Sequence, residues 1–338
     1  MRRGIKLEGA VVVVTGGSSG VGRAIAHAFA KERCRVVLLA RNQLGLSKAA
    51  EEIQQLGGEA LIIPTDVSDA AQVEAAAAQI IERFGGIDIW VNNAMVTALS
   101  PAFDMKPSEF QRITEVNYLG AVYGTLEALK HMRPRNEGLI LQVGSALAYR
   151  SIPLQSAYCA TKAAMRGFTD SVRCELDYEK SKVRISMLEL PAVNTPQFDV
   201  GHSHMNRRMR PVGKIFQPEV IGQAAVYVAK KRRPTRELVI AHTTLEAIVG
   251  QKFIPGLLDR YLSRAAWGGQ MTDEPLDPKR PDNLLQPVPF DPGTHGRFDD
   301  SAHTFSVELF LREHAGKLAA ALTVLGGAAW LGRRLRAA

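Results

Sequence analysis

An uninterrupted apolar run, Ala10-Val11-Val12-Val13-Val14, leads directly into a glycine-rich turn. A helical pattern follows, with Ile25, Ala26, Phe29 and Ala30 on one face. A β-branched run without polar alternation predicts a strand buried on both faces, as in a parallel sheet. Comparable runs at Val36–Ala40, Ala60–Pro64, Ile87–Val91, Leu139–Val143, Val183–Leu188 and Glu237–Ile240 predict six more. Between them lie helix-period segments: Leu44–Leu56, stopped by Gly57-Gly58, and a helix capped by Ser68 or Asp69 and stopped by Gly85-Gly86. Pro107–Met132, Ser156–Ser181 and Pro218–Lys231 follow. Strand and helix alternate over about 240 residues. This predicts an α/β fold with a single doubly wound parallel sheet, Rossmann-type, of seven strands with helices on both faces. In such a sheet ligands bind at the carboxyl ends of the strands.

Beyond residue 242 the pattern changes. Thr243–Leu262 has helical periodicity, broken at Pro255-Gly256. Gly268–Asp300 is rich in Pro, Gly and Asp and reads as an extended or disordered connection able to wrap over the domain. Phe305–His314 predicts a short amphipathic helix. Leu318–Gly332 is nearly free of charge and is flanked by Lys317 and Arg333-Arg334-Leu335-Arg336. That run is shorter than the ~20 residues a span requires, but it suits weak contact with a membrane surface. The expected organisation is a cofactor-binding catalytic domain over 1–242, a helical then Pro/Gly-rich extension over 243–300, and an amphipathic and apolar helical tail over 301–338.

The formal charge of +8 over 338 residues raises nucleic acid as a partner. The basic clusters lack interleaved aromatic residues for base stacking, so no nucleic acid is expected. The three cysteines, Cys34, Cys159 and Cys174, have no metal-ligand spacing and read as apolar residues of a reducing compartment. The apolar run after Met1-Arg2-Arg3 is too short for an export signal, so the expected location is cytoplasmic, with peripheral membrane contact through the tail.

The first turn, Thr15-Gly16-Gly17-Ser18-Ser19-Gly20-Val21-Gly22, has a clear physical role. Glycine admits positive φ and lets the backbone approach a pyrophosphate. The helix that follows offers free N–H groups and its positive dipole end. Arg41 ends the second strand. A carboxylate there would bind a ribose 2′-hydroxyl, whereas a cation suits a 2′-phosphate, so NADP(H) is favoured over NAD(H). Ser145 follows the fifth strand, and Tyr158 and Lys162 lie four apart on the next helix, hence on one face. A hydroxyl facing a phenol and an ammonium makes a proton-transfer site.

Taken in order, Thr15-Gly16-x3-Gly20-x-Gly22, Asp66, Asn92-Asn93-Ala94, Asn117, Ser145 and Tyr158-x3-Lys162 resemble the short-chain dehydrogenase/reductase family over residues 6–242. The resemblance implies Tyr158 as general acid/base, with Lys162 binding the nicotinamide ribose and lowering the phenol pKa. It implies that Ser145 holds the substrate oxygen and that Asn117 anchors a relay water. Asp66, with Val67, would face the adenine, and Asn93 and Ala94 would meet the cofactor at the central sheet edge. Pro191, Val193 and Thr195 match positions near the nicotinamide amide. It further implies a homo-oligomer. Met95 and Ala192 stand where the family commonly has glycine, and the long extension is also a departure.

The reading is an oxidoreductase moving a hydride between NADP(H) and a small-molecule secondary alcohol or ketone. Two others stay open: a catalytically silent nucleotide-binding regulatory protein, and a membrane-associated reductase or scaffold using the tail. Gln197–Lys214 falls at the family's mobile substrate lid and is rich in His and Arg. Its His202/His204 pair has no further ligand nearby in sequence, so no metal is expected.

Overall fold

The computed structural model describes residues 4–232 and 235–315. Seven strands form one sheet: β1 (Val11–Thr15), β2 (Arg35–Ala40), β3 (Glu59–Pro64), β4 (Ile89–Asn92), β5 (Leu139–Val143), β6 (Arg184–Glu189) and β7 (Glu237–Val239). Their order is β7-β6-β5-β4-β1-β2-β3, and every pair is parallel. The chain runs outward from β1 to β3, then returns to β4 beside β1. The crevice at that reversal is the expected ligand position.

The valines of β1 show why this sequence folds so. Val12 and Val14 pack with Ile25 and Phe29 of α1 (Gly20–Lys31) and Val220 and Ile221 of α7 (Pro218–Lys230). Val11 and Val13 pack on the other face with Val73 and Ile80 of α3 (Ala70–Phe84) and Ile113 of α4 (Pro107–Thr114). None of the four valines is more than 3% exposed. Each such burial stabilises the fold by about 1.5–3 kcal/mol relative to exposure. Both sheet faces are therefore covered, as the absence of polar alternation requires.

The helix expected over 107–132 is not uniform. Glu115–Leu119 is a π-helical segment between α4 and α5 (Gly120–Arg135). Asn117 sits inside it. A π-bulge changes which face the following residues present and is frequent at functional sites. α2 (Gln43–Gln55) and α6 (Ser156–Tyr178) complete the layers.

The extension is ordered and attached. α8 (His242–Phe253) and α9 (Pro255–Gly269) form a helical hairpin, divided at the predicted Pro255 break. Met271–Pro275 then pairs antiparallel with Arg207–Met209 of the predicted lid. Residues 283–296 run back across the carboxyl end of the sheet. The Arg23 guanidinium, 1% exposed, pairs with Glu52 of α2 at 2.7 Å and with Asp291 of the extension at 2.6 Å. The Asn42 amide donates to the carbonyls of Val288 (3.0 Å) and Phe290 (2.8 Å). Gly20 N–H donates to Gly293 O at 3.0 Å. A helix spans 307–315. The apolar run Leu318–Gly332 lies outside the described residues. Among the described residues no helix is long and apolar enough to cross a membrane.

Candidate active site

A cavity of about 430 Å³ opens along the carboxyl ends of the strands. At one end are Arg41 and Asp66; at the other are Ser145, Tyr158 and Lys162. Gly16, Ser18, Ser19, Gly20, Val21, Val67, Asn93, Ala94, Pro191, Val193 and Thr195 also line it. One cleft thus brings together most of the side chains singled out in the sequence. Thr15, Gly22 and Asn117 stand behind its wall, where they shape it.

Thr15 Oγ1 accepts the N–H groups of Asn93 (2.9 Å) and Ala94 (3.0 Å), and Asn93 Nδ2 donates to Thr15 O at 2.9 Å. These bonds fix the ends of β1 and β4 side by side. Gly16 has φ +66°, and a Cβ there would lie 2.8 Å from Ala94 Cα. A Cβ on Gly22 would lie 2.2 Å from Gly16 O. The turn is therefore folded onto the helix start too tightly for any other residue, leaving a backbone cradle that fits a pyrophosphate at a helix N-terminus.

The Arg41 guanidinium donates to the carbonyls of Asn283 (2.5 Å) and Leu285 (2.8 Å) in the extension. Both partners are neutral, so the charge is held in place and not cancelled. Among the described residues Arg41 makes no ion pair. Asp66, by contrast, is paired with Arg112 at 2.6 Å and accepts from Ser68 Oγ at 2.8 Å. Those donors hold its carboxyl below the usual range despite partial burial.

At the other end, Ser145 Oγ accepts Leu147 N–H at 3.1 Å and lies on the same stretch of cleft wall as Tyr158. Lys162 Nζ donates to Val143 O at 2.6 Å and lies 5.7 Å from the Tyr158 ring centroid. Burial raises the Tyr158 phenol well above its usual range, and Ser145 offsets part of that. The expected lowering by Lys162 is not among the influences on the phenol here. Burial lowers the Lys162 ammonium to about 8, with Glu189 opposing.

Asn117 clamps a loop. Its Oδ1 accepts Val96 N–H at 2.8 Å and its Nδ2 donates to Val96 O at 2.9 Å. Met95 and Val96 line the cleft, so Asn117 sets the cleft wall from behind.

Two groups escaped the sequence reading. Glu189, at the end of β6, is 0% exposed, and its Oε2 has no hydrogen-bond partner. The single proton of the Tyr149 hydroxyl is shared between Glu237 at 2.8 Å and Glu189 Oε1 at 3.2 Å. Burial, then Glu237, push the Glu189 carboxyl up to about 7. An apolar strand pattern with one acid at its end offers little to reveal this.

The second is Glu109. The His202/His204 pair was expected to lack nearby ligands, yet the Glu109 carboxylate lies 2.9 Å from His204 Nε2 and 3.4 Å from His202 Nε2. Parallel pairing of Ala98–Leu99 with His202–Ser203 brings the lid strand to the first turn of α4. Glu109 also accepts Lys106 N–H at 3.0 Å, and Asp282 holds His202 Nδ1 at 2.8 Å. The Asp282 bond raises the His202 pKa. The group clasps lid, helix and extension.

A profile of the family described as short chain dehydrogenase matches residues 10–204. An uncharacterized oxidoreductase of Bacillus subtilis, YxnA, is 30% identical over 96% of this chain and 90% of its own length, so it shares the extension. The 3beta-hydroxysteroid dehydrogenase 1 of Eggerthella lenta is 32% identical over 74% of this chain and 96% of its own. Among solved structures, an alcohol dehydrogenase from the archaeon Thermococcus sibiricus, complexed with 5-hydroxy-NADP, superposes with a TM-score of 0.61 at 30% identity. It covers 69% of this chain and 96% of its own.

Proposed function

The chain belongs to the short-chain dehydrogenase family, and on that premise we propose that it is an NADP(H)-preferring oxidoreductase acting on a secondary alcohol/ketone pair. The observation that carries this reading is the single cleft joining the Gly16–Gly22 turn to Ser145, Tyr158 and Lys162. When bound there, a nicotinamide dinucleotide supplies or accepts the hydride. The backbone of the Gly16–Val21 turn would hold its pyrophosphate, and Arg41 its 2′-phosphate. Asp66, Val67, Asn93 and Ala94 would border the adenosine half, and Pro191, Val193 and Thr195 the nicotinamide half.

Ser145 orients the substrate oxygen, and Tyr158 gives its phenolic proton to that oxygen as the carbonyl is reduced. In the oxidative direction Tyr158 takes the proton back. The phenol carries its proton at neutral pH, as the acid role needs, while burial alone makes it a reluctant donor. For the base role a cation must lower its pKa, and Lys162 is the cation on the same helix face. Asn117 positions the Met95–Val96 wall. In this arrangement residues 1–242 form the catalytic domain, 243–300 complete its cofactor wall, and 301–338 form a tail. Assembly as a homo-oligomer follows the habit of the family.

The test is NADPH consumption with a panel of ketones by wild type and Tyr158→Phe. Loss of turnover by at least about a hundredfold, with NADPH binding retained, is expected. Equal consumption by both proteins would overturn the acid/base assignment. NADPH binding without turnover by wild type on any ketone would favour the silent nucleotide-binding reading.

A further inference from the structure

The α8–α9 hairpin carries an apolar outer surface that no described residue covers. Leu245, Val249, Phe253, Ile254, Leu257 and Tyr261 are 47–73% exposed. Leu245, Val249 and Phe253 recur every fourth residue along α8, and Leu257 and Tyr261 do so on α9, so each helix presents a ridge. The two helices pack closely where Gly250 meets Leu258. The tip, Phe253-Ile254-Pro255-Gly256-Leu257, is exposed throughout, as are the cations Lys252 and Arg260 beside it and Arg264 about two turns further along α9. Of the acids nearby, Asp259 is paired with Arg150 at 2.6 Å, and Glu246 stands a full turn and more from the tip.

Three observations bear on what this surface meets. An apolar tip flanked by the cations Lys252 and Arg260 complements an anionic lipid surface. A second copy of this chain fits less well, because a two-fold contact would bring the same cations face to face. Next, the other side of α8 belongs to the cleft: Thr243, Thr244 and Ala247 line it. Finally, the helix at 307–315 is pinned beside the start of α8, where Glu308 accepts His242 N–H at 2.9 Å. The chain continues from there into the uncharged run Leu318–Gly332 and its terminal arginines.

We propose that the α8–α9 hairpin docks its apolar tip into an anionic lipid bilayer, so that a bilayer-dissolved secondary alcohol or ketone enters the cleft past α8. The substrate half rests on the oxidoreductase reading; the docking half does not.

The test uses the full chain and vesicles of phosphatidylcholine with or without phosphatidylglycerol. In Phe253→Trp, brominated acyl chains should quench tryptophan emission beyond the quenching seen in wild type. This reads the hairpin independently of the tail. The double variant Phe253→Asp/Leu257→Asp should bind anionic vesicles at least about tenfold more weakly. Its kcat/KM should be unchanged for a short, water-soluble ketone and reduced for a long-chain ketone carried in vesicles. Absence of extra quenching in Phe253→Trp overturns the docking. So does light scattering that shows wild type as a dimer and the double variant as a monomer, with neither bound to vesicles. Turnover of no ketone by wild type would remove the substrate half and leave the quenching result standing.

Discussion

Arg41 serves two structural ends, and they can be separated. Its guanidinium spans two carbonyls of the extension, at 2.5 and 2.8 Å, while lining the end of the cleft proposed to take the adenosine. A charge-assisted hydrogen bond contributes about 1.5–3 kcal/mol. Arg41 is only partly buried, so solvent screening places its contact with a 2′-phosphate near the lower figure, about tenfold in affinity. Arg41→Asp removes that contact and sets a carboxylate against a phosphate. The NADPH/NADH ratio of kcat/KM should fall by more than tenfold, to near or below unity, and the effect should shrink as salt is added. Arg41→Lys keeps the charge but replaces a rigid fork with a single ammonium, which cannot hold both carbonyls equally. That variant should keep the preference for NADPH, raise KM for both cofactors alike, and expose the 283–290 segment to subtilisin. Steady-state kinetics with both cofactors and a timed digest provide the readouts. An unchanged ratio in Arg41→Asp would refute the phosphate role and leave Arg41 as a tether alone.

Three further outcomes follow from the geometry. Gly22→Ala would put a Cβ 2.2 Å from Gly16 O, and neither backbone can yield, so the melting temperature should drop by several degrees and NADPH binding should be lost; an unchanged melt would contradict the packing described. Glu189→Gln tests the buried acid: its carboxyl is raised to about 7 from 4.5, so the folded state holds the proton more tightly than the unfolded chain does. Its cost to stability is absent below about pH 4.5, grows as pH rises, and is complete above pH 7, on the order of 3 kcal/mol. Denaturant melts should therefore show Glu189→Gln more stable than wild type at pH 8, with the gap closing toward pH 5; a gap independent of pH would count against the burial argument. His204→Ala breaks the contact with Glu109 at 2.9 Å and should raise protease sensitivity of the lid with little change in melting temperature; an unaltered digest would show that the clasp does not restrain the lid.

How much could be read in advance depended on the distance between partners. The sheet was legible because each strand declares itself: the valines of β1 need two apolar layers wherever they sit. The cleft was legible because the turn, Ser145 and Tyr158 each follow a strand end, and a parallel sheet gathers strand ends on one edge. Asn117 was placed on a helix, but α- and π-turns use the same residues, so the bulge that aims it left no periodic trace. Glu109 was missed because its partners lie more than ninety residues on, and only the pairing of Ala98 with His202 brings them together. The course of the extension was the least legible. Its ties use main-chain carbonyls of Asn283, Leu285, Val288 and Phe290, which every sequence has.

Those ties also impose an order on biosynthesis. Contacts between Gly20 and Gly293, or Arg23 and Asp291, join points about 270 residues apart. A chain growing at about 5–20 residues per second leaves the ribosome N-terminus first. The sheet can close once β7 has emerged, but Arg23 then has Glu52 as its one carboxylate partner and the Arg41 end of the cleft lacks a wall. Tens of residues later the extension arrives and completes that wall. For those seconds the cleft lacks the wall that Asn283, Val288 and Pro292 give it in the finished protein, so a ligand that depends on that wall is held only once most of the chain has been made.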